Sequence, residues 1–281
     1  MKLFISDLDG TLLDHNARLS PRSERILKEL IRQGMRFTVA SGRTPLSAVP
    51  LLRSIGIGLP LVLMNGALIY EPNTHQCLHS VEFGPACVHA LADAEERAGV
   101  CGMILSAGGE GLSLHMGRHL QGHLWEHYYD LPVLGQIGVR GPEEQSAADL
   151  EGSRVLYALY MDDRPERLAE MCRILSQQPG LFLDSYRDIY LENRWCLEIT
   201  SSETSKGHAV ERLRRLCCAS YVVGFGDGKN DLPLFDACDA CFAVSNGCQE
   251  VKDRADSVIG SNLEDGVALC LQALWEREQG N

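Results

Sequence analysis

Two carboxylates that could act on a phosphorus centre stand near the start of the chain, in Asp7-Leu8-Asp9-Gly10-Thr11. Residues 3–6 form an apolar run that predicts a strand, and side chains two residues apart on a strand project to the same side. Covalent phosphoryl transfer needs such a pair, because one carboxylate attacks phosphorus while the other protonates the leaving oxygen and then activates water. Gly10 would let the backbone turn close to a phosphate. The simpler interpretation is an acidic strand end followed by a Gly-Thr turn.

A second candidate group follows the apolar run at residues 37–40. Ser41-Gly42-Arg43 would place a hydroxyl and backbone N–H groups at the carboxyl end of a strand, where Ser41 and Gly42 could bind phosphate oxygens. An ordinary strand-to-helix turn would have the same sequence, so this triplet carries weight only beside the other motifs. Arg43 could point toward a substrate or form a surface salt bridge, and we leave it out of the predicted site.

Two further motifs lie in the C-terminal third. Lys206 precedes a predicted helix at residues 208–216, and its ammonium could neutralise a phosphate or an attacking carboxylate. A solvated lysine at the start of a helix is the alternative. The loop Gly226-Asp227-Gly228-Lys229-Asn230-Asp231 follows an apolar run, and its carboxylates suit Mg²⁺, a hard cation that prefers oxygen ligands. The coincidence with the first motif favours a magnesium site over a simple turn.

The elements that would position these residues alternate along both ends of the chain. Short apolar runs are separated by longer amphipathic stretches, which is typical of a parallel α/β sheet. A last helix is predicted over residues 264–276. The runs lie at residues 3–6, 37–40, 61–64, 221–225, 241–244 and 257–259. Both ends are therefore predicted to build one sheet.

Between these segments, roughly over residues 83–189, the pattern changes to mixed helix and strand. Strands are predicted at residues 103–106, 112–115 and 155–161, with a helix at residues 165–176. We interpret this stretch as an inserted α+β domain.

Taken together, the four motifs resemble those of the haloacid dehalogenase superfamily of phosphohydrolases, in the same order. Further details are similar to the Cof-type subfamily with a type IIB cap. They are Asn65-Gly66-Ala67, Leu197-Glu198-Ile199, Ala243-Val244-Ser245-Asn246-Gly247 and Glu264-Asp265-Gly266-Val267. The resemblance implies an α/β fold with a Rossmann-like parallel-sheet core, residues 1–82 and 190–281, and an inserted α+β cap domain, residues 83–189. The middle of the chain matches only in position and α+β character.

The resemblance also implies an activity. It predicts a Mg²⁺-dependent phosphohydrolase that acts on a small phosphorylated metabolite, such as a sugar phosphate, through an aspartyl phosphate. Asp7 would be the nucleophile and Asp9 the general acid and base. Mg²⁺ would be held by the Asp7 carboxylate, the Asp9 carbonyl and Asp227, with support from Asp231. The residues predicted to bind the substrate phosphate are Gly10, Thr11, Ser41, Gly42, Lys206 and Asn230. A phosphosugar mutase of the phosphomannomutase type and a binding protein without turnover are the alternatives.

Composition limits the partners and the compartment. The formal net charge of −12 would repel a phosphate backbone, so nucleic acid is not an expected partner. No apolar run approaches the roughly 20 residues that cross a bilayer, and no secretory signal is expected. The chain has 11 cysteines, which fits reduced thiols in the cytoplasm. Neither the substrate nor the oligomeric state follows from the sequence.

Three histidines in the inserted segment form a separate pattern. His119, His123 and His127 recur every four residues and would share one face of a helix. Neutral imidazoles so arranged could bind zinc or meet an anionic substrate. Gly122 would weaken such a helix, so we expect a solvated polar face that is not part of the site.

Overall fold

The computed structural model describes residues 1–108, 111–117, 134–135, 137–187 and 193–279. The chain folds as two compact units. The first, here called the core unit, comprises Met1–Thr74 and Ser205–Asn281, and the second, the insert unit, comprises His75–Thr204. The predicted face of His119, His123 and His127 lies outside the described residues. No helix in the described ranges has both the length and the hydropathy needed to cross a bilayer.

Five parallel strands form the main sheet of the core unit. They are β1 (Lys2–Ser6), β2 (Phe37–Val39), β12 (Tyr221–Gly226), β13 (Ala240–Val244) and β14 (Ser257–Ile259), and their order is β14-β13-β12-β1-β2. β1 therefore lies between β12 and β2, and the segments that follow these three strands emerge at one edge of the sheet. This arrangement confirms the parallel-sheet core predicted from both ends of the chain.

An antiparallel pair and six helices complete the core unit. The pair consists of β3 (Leu61–Leu63) and β4 (Leu68–Glu71). The helices are α1 (Pro21–Arg32), α2 (Pro45–Leu52), α5 (Lys206–Leu216), α6 (Leu232–Asp236), α7 (Gln249–Arg254) and α8 (Gly266–Gln279). The side chain of Ser20 caps α1 by accepting a hydrogen bond of 2.9 Å from the Ser23 N–H. α8 begins two residues later than predicted, because Asp265 adopts a left-handed φ of 59°.

The interior of the core unit is apolar and closely packed. Leu3 and Ile5 of β1 pack with Val222 of β12 and with Val210 and Leu213 of α5, and all five side chains are fully buried. Burial of each such side chain stabilises the fold by about 1.5–3 kcal/mol. The strand ends that carry the motif residues are therefore held on a rigid scaffold.

The insert unit is an α+β structure, as predicted. Its six-stranded sheet contains β6 (Met103–Gly108), β7 (Gly111–Met116), β8 (Val139–Glu144), β9 (Arg154–Asp162), β10 (Leu181–Arg187) and β11 (Trp195–Ser201), in the order β10-β11-β9-β6-β7-β8. Only the β7–β8 pair is parallel among the described pairings of this sheet. The helices α3 (Pro85–Ala98) and α4 (Pro165–Leu175) pack on one face of it, where Leu91 and Met171 meet Ile104 and Leu197.

The boundaries between the units differ from the expected ones. The chain divides at 74/75 and 204/205, whereas the sequence placed the boundaries at 82/83 and 189/190. β11, which contains Leu197-Glu198-Ile199, pairs with β9 on one side and β10 on the other. It therefore belongs to the insert sheet, and β5 (Gln76–Ser80) lies in the same unit. Periodicity identifies a strand but not its pairing partners, so the sequence alone does not assign this strand to a sheet.

Candidate active site

The motif residues of the core unit meet where its central strands end. Asp7 follows β1, Ser41 follows β2 and Asp227 follows β12. Ser6 at the end of β1 is aligned with Val39 of β2 and Phe225 of β12. The parallel register thus places the three residues at the same edge of the sheet.

Lys206 links two buried carboxylates. Its ammonium Nζ donates to Asp7 Oδ1 at 2.6 Å and to Asp231 Oδ1 at 2.7 Å, and all three side chains are less than a tenth exposed. This burial rules out the solvated lysine that was the alternative. The lysine stands at the first position of α5, whose start abuts the turn at Gly66. A Cβ at Gly66, which has φ +102°, would overlap the carbonyl of Ser205, so this close approach requires glycine.

The buried charges perturb one another. Burial raises the pKa of Asp7 well above its usual value, and the nearby charges of Asp231 and Asp227 raise it further, whereas Lys206 opposes them. Burial lowers the pKa of Lys206, but Asp7 and Asp231 outweigh burial and raise that pKa overall. The lysine is therefore held as a cation. Three carboxylates around one ammonium leave an excess of negative charge at this point.

The acidic loop is fixed through Asp231 and Thr11. Asp231 Oδ2 accepts hydrogen bonds of 3.0 Å from the backbone N–H groups of Asp227 and Gly228. The hydroxyl of Thr11 donates to Asp227 Oδ1 at 2.7 Å. Thr11 was predicted to hold a phosphate oxygen, and in this structure its hydroxyl orients the Asp227 carboxylate. Burial raises the pKa of Asp227, and the Thr11 hydrogen bond opposes that rise.

The donor set fits a hard divalent cation. Asp7, Asp227 and Asp231 each offer a carboxylate oxygen, and these oxygens lie within 4.8 Å of one another. Within the described part of the chain, hydrogen bonds reach Oδ1 of Asp7 and of Asp227 and leave Oδ2 of each available. Both oxygens of Asp231 already accept hydrogen bonds, so its support of a metal would act through the loop and Lys206. The cluster could thus hold a metal ion through oxygen ligands, the type that Mg²⁺ prefers.

Gly10 lies against the acidic loop. It has φ +79°, and a Cβ there would overlap Asp227 Oδ2. Glycine is therefore required for the chain to pass this carboxylate. Asn246 Nδ2 donates to the Gly10 carbonyl at 2.7 Å and so holds the turn from the other side. Asn246 was quoted from the sequence only as part of a family resemblance, with no role assigned to it.

Ser41, Gly42 and Asn230 converge on Asn65. The Asn65 N–H donates to the Ser41 carbonyl at 3.0 Å, and Asn230 Nδ2 donates to Asn65 Oδ1 at 3.5 Å. A Cβ at Gly42 would lie 3.3 Å from Asn65 Nδ2. Asn65 itself has φ 54°, a left-handed conformation that asparagine tolerates better than most residues. Asn65 therefore connects two of the predicted phosphate-binding segments, through its backbone N–H to Ser41 and through its side chain to Asn230. The sequence indicated only that Asn65 follows the third strand.

Asp9 differs from Asp7 in exposure and in partner. Its side chain is 46% exposed, and it accepts a two-pronged contact from Arg43, with Nε at 2.7 Å from Oδ2 and Nη2 at 2.6 Å from Oδ1. Arg43 was left out of the predicted site. Spacing was the sequence signal that could have predicted this contact. Arg43 lies two residues beyond Ser41, which follows β2, and Asp9 lies two residues beyond Asp7, which follows the neighbouring parallel strand β1.

A cavity of about 920 Å³ lies elsewhere, within the insert unit. It is bordered by α3, the start of α4 and the end of β9, and all of its lining residues belong to that unit. None of the predicted site residues lines it. The cluster around Asp7 and Lys206 therefore remains the site that the chemistry defines.

Comparison with known proteins identifies the family of this chain. Residues 4–271 match the model of the haloacid dehalogenase-like hydrolase family, and the chain belongs to that family. Phosphatase YwpJ of Bacillus subtilis is 24% identical over 318 residues, which cover 98% of this chain and all of the relative. The predicted class, a phosphoric monoester hydrolase, is confirmed.

Solved structures agree in fold. A haloacid dehalogenase-like hydrolase from Bacteroides thetaiotaomicron superposes with a TM-score of 0.73 at 23% identity, covering 97% of this chain and 99% of that chain. A haloacid dehalogenase subclass IIB sugar phosphatase superposes with a TM-score of 0.68 at 19% identity, covering 98% and 99%. The predicted fold class and the resemblance to Cof-type proteins with a type IIB cap are confirmed.

Proposed function

We propose that this protein removes phosphate from a small phosphorylated metabolite, such as a sugar phosphate, with Mg²⁺ and through a phosphorylated Asp7. The observation that supports this most strongly is the buried Lys206, whose ammonium joins Asp7 to Asp231 beside Asp227. A buried cation next to a buried carboxylate orients that carboxylate and reduces its repulsion of a phosphoryl group. A catalytically silent binding protein would not require this arrangement.

In the first half-reaction, Asp7 attacks phosphorus with a carboxylate oxygen. The new bond joins that oxygen to phosphorus, the bond from phosphorus to the leaving oxygen breaks, and Asp9 gives its proton to the leaving group. Lys206 offsets negative charge on the nucleophile. The backbone N–H groups near Ser41 and Gly42, together with Asn230, would hold the phosphate oxygens.

A bound Mg²⁺ would supply charge neutralisation between the two anionic reactants. The residues that would hold it are Asp7 and Asp227 through their carboxylates and Asp9 through its carbonyl. Asp231 and Thr11 keep Asp227 in place for this role.

In the second half-reaction, water attacks the phosphorus of the aspartyl phosphate. Asp9, now a carboxylate, takes a proton from this water, the bond between Asp7 and phosphorus breaks, and inorganic phosphate leaves. The cycle returns Asp7 as a carboxylate and Asp9 as an acid. We propose that the inserted domain acts as the cap that selects the substrate.

We also propose the cytoplasm as the compartment. No disulfide bond joins cysteines within the part of the chain that the structure describes, as expected in a reducing environment. Cys238 and Cys241 form a CxxC pair, a spacing that sequence reasoning overlooked. Burial raises the pKa of both thiols, so the pair lacks the lowered pKa of a reactive redox centre.

The test is release of inorganic phosphate from a panel of phosphorylated metabolites, with Mg²⁺ and with excess chelator. We expect release with Mg²⁺ and none in chelator, because the site offers hard oxygen ligands. Full activity in chelator would contradict the metal assignment. Transfer of the phosphoryl group to a second sugar without phosphate release would instead identify a mutase.

A further inference from the structure

Arg43 and Asp9 form a contact that the proposed reaction cannot keep unchanged. Nε and Nη2 of Arg43 each donate to a different oxygen of Asp9, at 2.7 and 2.6 Å. The arginine side chain is only 16% exposed, although its partner is 46% exposed. Its backbone is anchored on both sides, since the Arg43 N–H donates to Ser41 Oγ at 3.2 Å and its carbonyl accepts from the Met64 N–H at 3.0 Å. The backbone of Arg43 is therefore held in place in the loop after β2, and the side chain extends from this fixed backbone.

This geometry conflicts with proton transfer by Asp9. A general acid must present an O–H to the leaving oxygen, and a general base must accept a proton from water. While the two-pronged contact lasts, a guanidinium N–H fills a lone-pair direction on each carboxylate oxygen. One lone-pair direction remains on each oxygen, so the two-pronged contact competes with proton transfer by Asp9 for the same two atoms.

A phosphate anion is the group that can draw Arg43 away. Arg43 lies in the same loop as Ser41 and Gly42, the predicted phosphate-binding residues. A guanidinium contacts phosphate with the same two-pronged geometry as carboxylate, and a phosphate monoester carries more negative charge than a carboxylate.

We infer that Arg43 is a positioning residue that holds Asp9 in the ligand-free protein and passes to the phosphoryl group when substrate binds. This handover would make Asp9 available for proton transfer only once an anion occupies the site. The inference rests on the proposed function, because it requires Asp9 to be the acid and base and the loop after β2 to bind phosphate.

The test is a double-mutant cycle on the affinity for inorganic phosphate, measured calorimetrically with Mg²⁺ present. The four proteins are wild type, Asp9→Asn, Arg43→Met and the double variant. If Arg43 must leave Asp9 to reach phosphate, Asp9→Asn removes the charge that holds it at Asp9, and phosphate should bind about tenfold more tightly. In the Arg43→Met background the same change relieves only the repulsion between Asp9 and phosphate, so the gain in affinity should be clearly smaller.

A simple surface ion pair gives the opposite pattern. Removing Arg43 would then expose phosphate to the unneutralised charge of Asp9, so Asp9→Asn would help more in the Arg43→Met background. That result, or equal gains in both backgrounds, would overturn the handover. Wild-type protein that binds no phosphate with Mg²⁺ would count against the proposed function as well, whereas intact binding with the wrong pattern rejects the handover alone.

A spectroscopic measurement gives a matched control within the same chain. On α1, Arg32 makes a similar two-pronged contact with Glu29, with Nε at 2.9 Å from Oε2 and Nη2 at 2.7 Å from Oε1. The arginine Nε–H signals of both residues can be assigned by their loss in Arg43→Met and Arg32→Met. Saturation with phosphate and Mg²⁺ should shift the Arg43 signal and leave the Arg32 signal in place. An unmoved Arg43 signal would contradict the inference.

Discussion

Two buried carboxylates, Asp7 in the core unit and Glu95 in the insert unit, are held in opposite ways. Asp7 contacts the ammonium of Lys206, beside two further carboxylates. Glu95 accepts hydrogen bonds from neutral donors, the Tyr160 hydroxyl at 2.9 Å and the Ala147 N–H at 2.8 Å. Burial raises the pKa of both acids.

The difference separates a chemical role from a structural one. Each oxygen of Glu95 has a neutral donor, and these hydrogen bonds connect α3 to β9 and to the turn at residue 147. Asp7 instead keeps one oxygen available and lies in a cluster with excess negative charge, which favours a cation or an electrophile. Burial of a carboxylate alone therefore does not identify a catalytic residue, whereas the type of its partners does.

The largest expected effect comes from replacing Asp7 by its amide. Asp7→Asn keeps the size of the side chain and removes the nucleophile, so turnover should fall to background and no phosphorylated enzyme should form. Intact-protein mass after rapid acid quench with an activated aryl phosphate measures this. Glu95→Gln is the matched control, since it should keep turnover within about twofold. A phosphate adduct on the Asp7→Asn protein would show that the nucleophile is another residue.

A smaller loss is expected for Asp9→Asn, which leaves the nucleophile in place. Turnover should fall by roughly 10²–10⁴-fold, because proton transfer is lost in both half-reactions. With an activated aryl phosphate, whose leaving group needs little protonation, the phosphorylated enzyme should accumulate. The same quench experiment detects it as a mass increase of the intact protein, and peptide mapping should place the adduct on Asp7. Equal turnover by Asp9→Asn and wild type would remove Asp9 from the mechanism.

Lys206→Met tests whether the cluster depends on its cation for stability. It would leave Asp7 and Asp231 buried without their ammonium partner, and the free energy of unfolding should fall by about 3–5 kcal/mol. Urea unfolding measures the change, and added Mg²⁺ should recover part of it. Lys2→Met is the control, because Lys2 forms an exposed ion pair with Glu278. Its replacement should lower the free energy of unfolding by less than about 1 kcal/mol. If both substitutions lowered the free energy of unfolding equally, the cluster around Asp7 would not depend on its buried cation for stability.

The smallest expected effect is a pH dependence of stability in the insert unit. The pKa of Glu95 is raised above its ordinary 4.5 by burial, so the native state retains a proton that the unfolded chain releases. The resulting stabilisation is complete below pH 4.5 and is lost as pH rises through the raised pKa. Glu95→Gln cannot titrate, so its Tm relative to wild type should increase from about pH 4 to about pH 7. A constant difference would mean that Glu95 titrates normally.

The sequence alone determined the pair at Asp7 and Asp9, the parallel sheet and the acidic loop at Asp227. These features depend on local geometry, since strand periodicity sets the side on which a residue projects and a strand end sets the edge at which it emerges. For the same reason the sequence could recognise the strand at Leu197-Glu198-Ile199 but could not assign it to a sheet.

Only the tertiary structure decided which donors meet which acceptors at that edge. Arg43 reaches Asp9, and the Thr11 hydroxyl reaches Asp227, because β1 lies between β2 and β12. Thr11 and Asp227 are 216 residues apart in sequence, and no local pattern encodes a hydrogen bond over that separation. The directions of side chains that meet across strands follow from strand order and packing, which form only when the whole chain has folded.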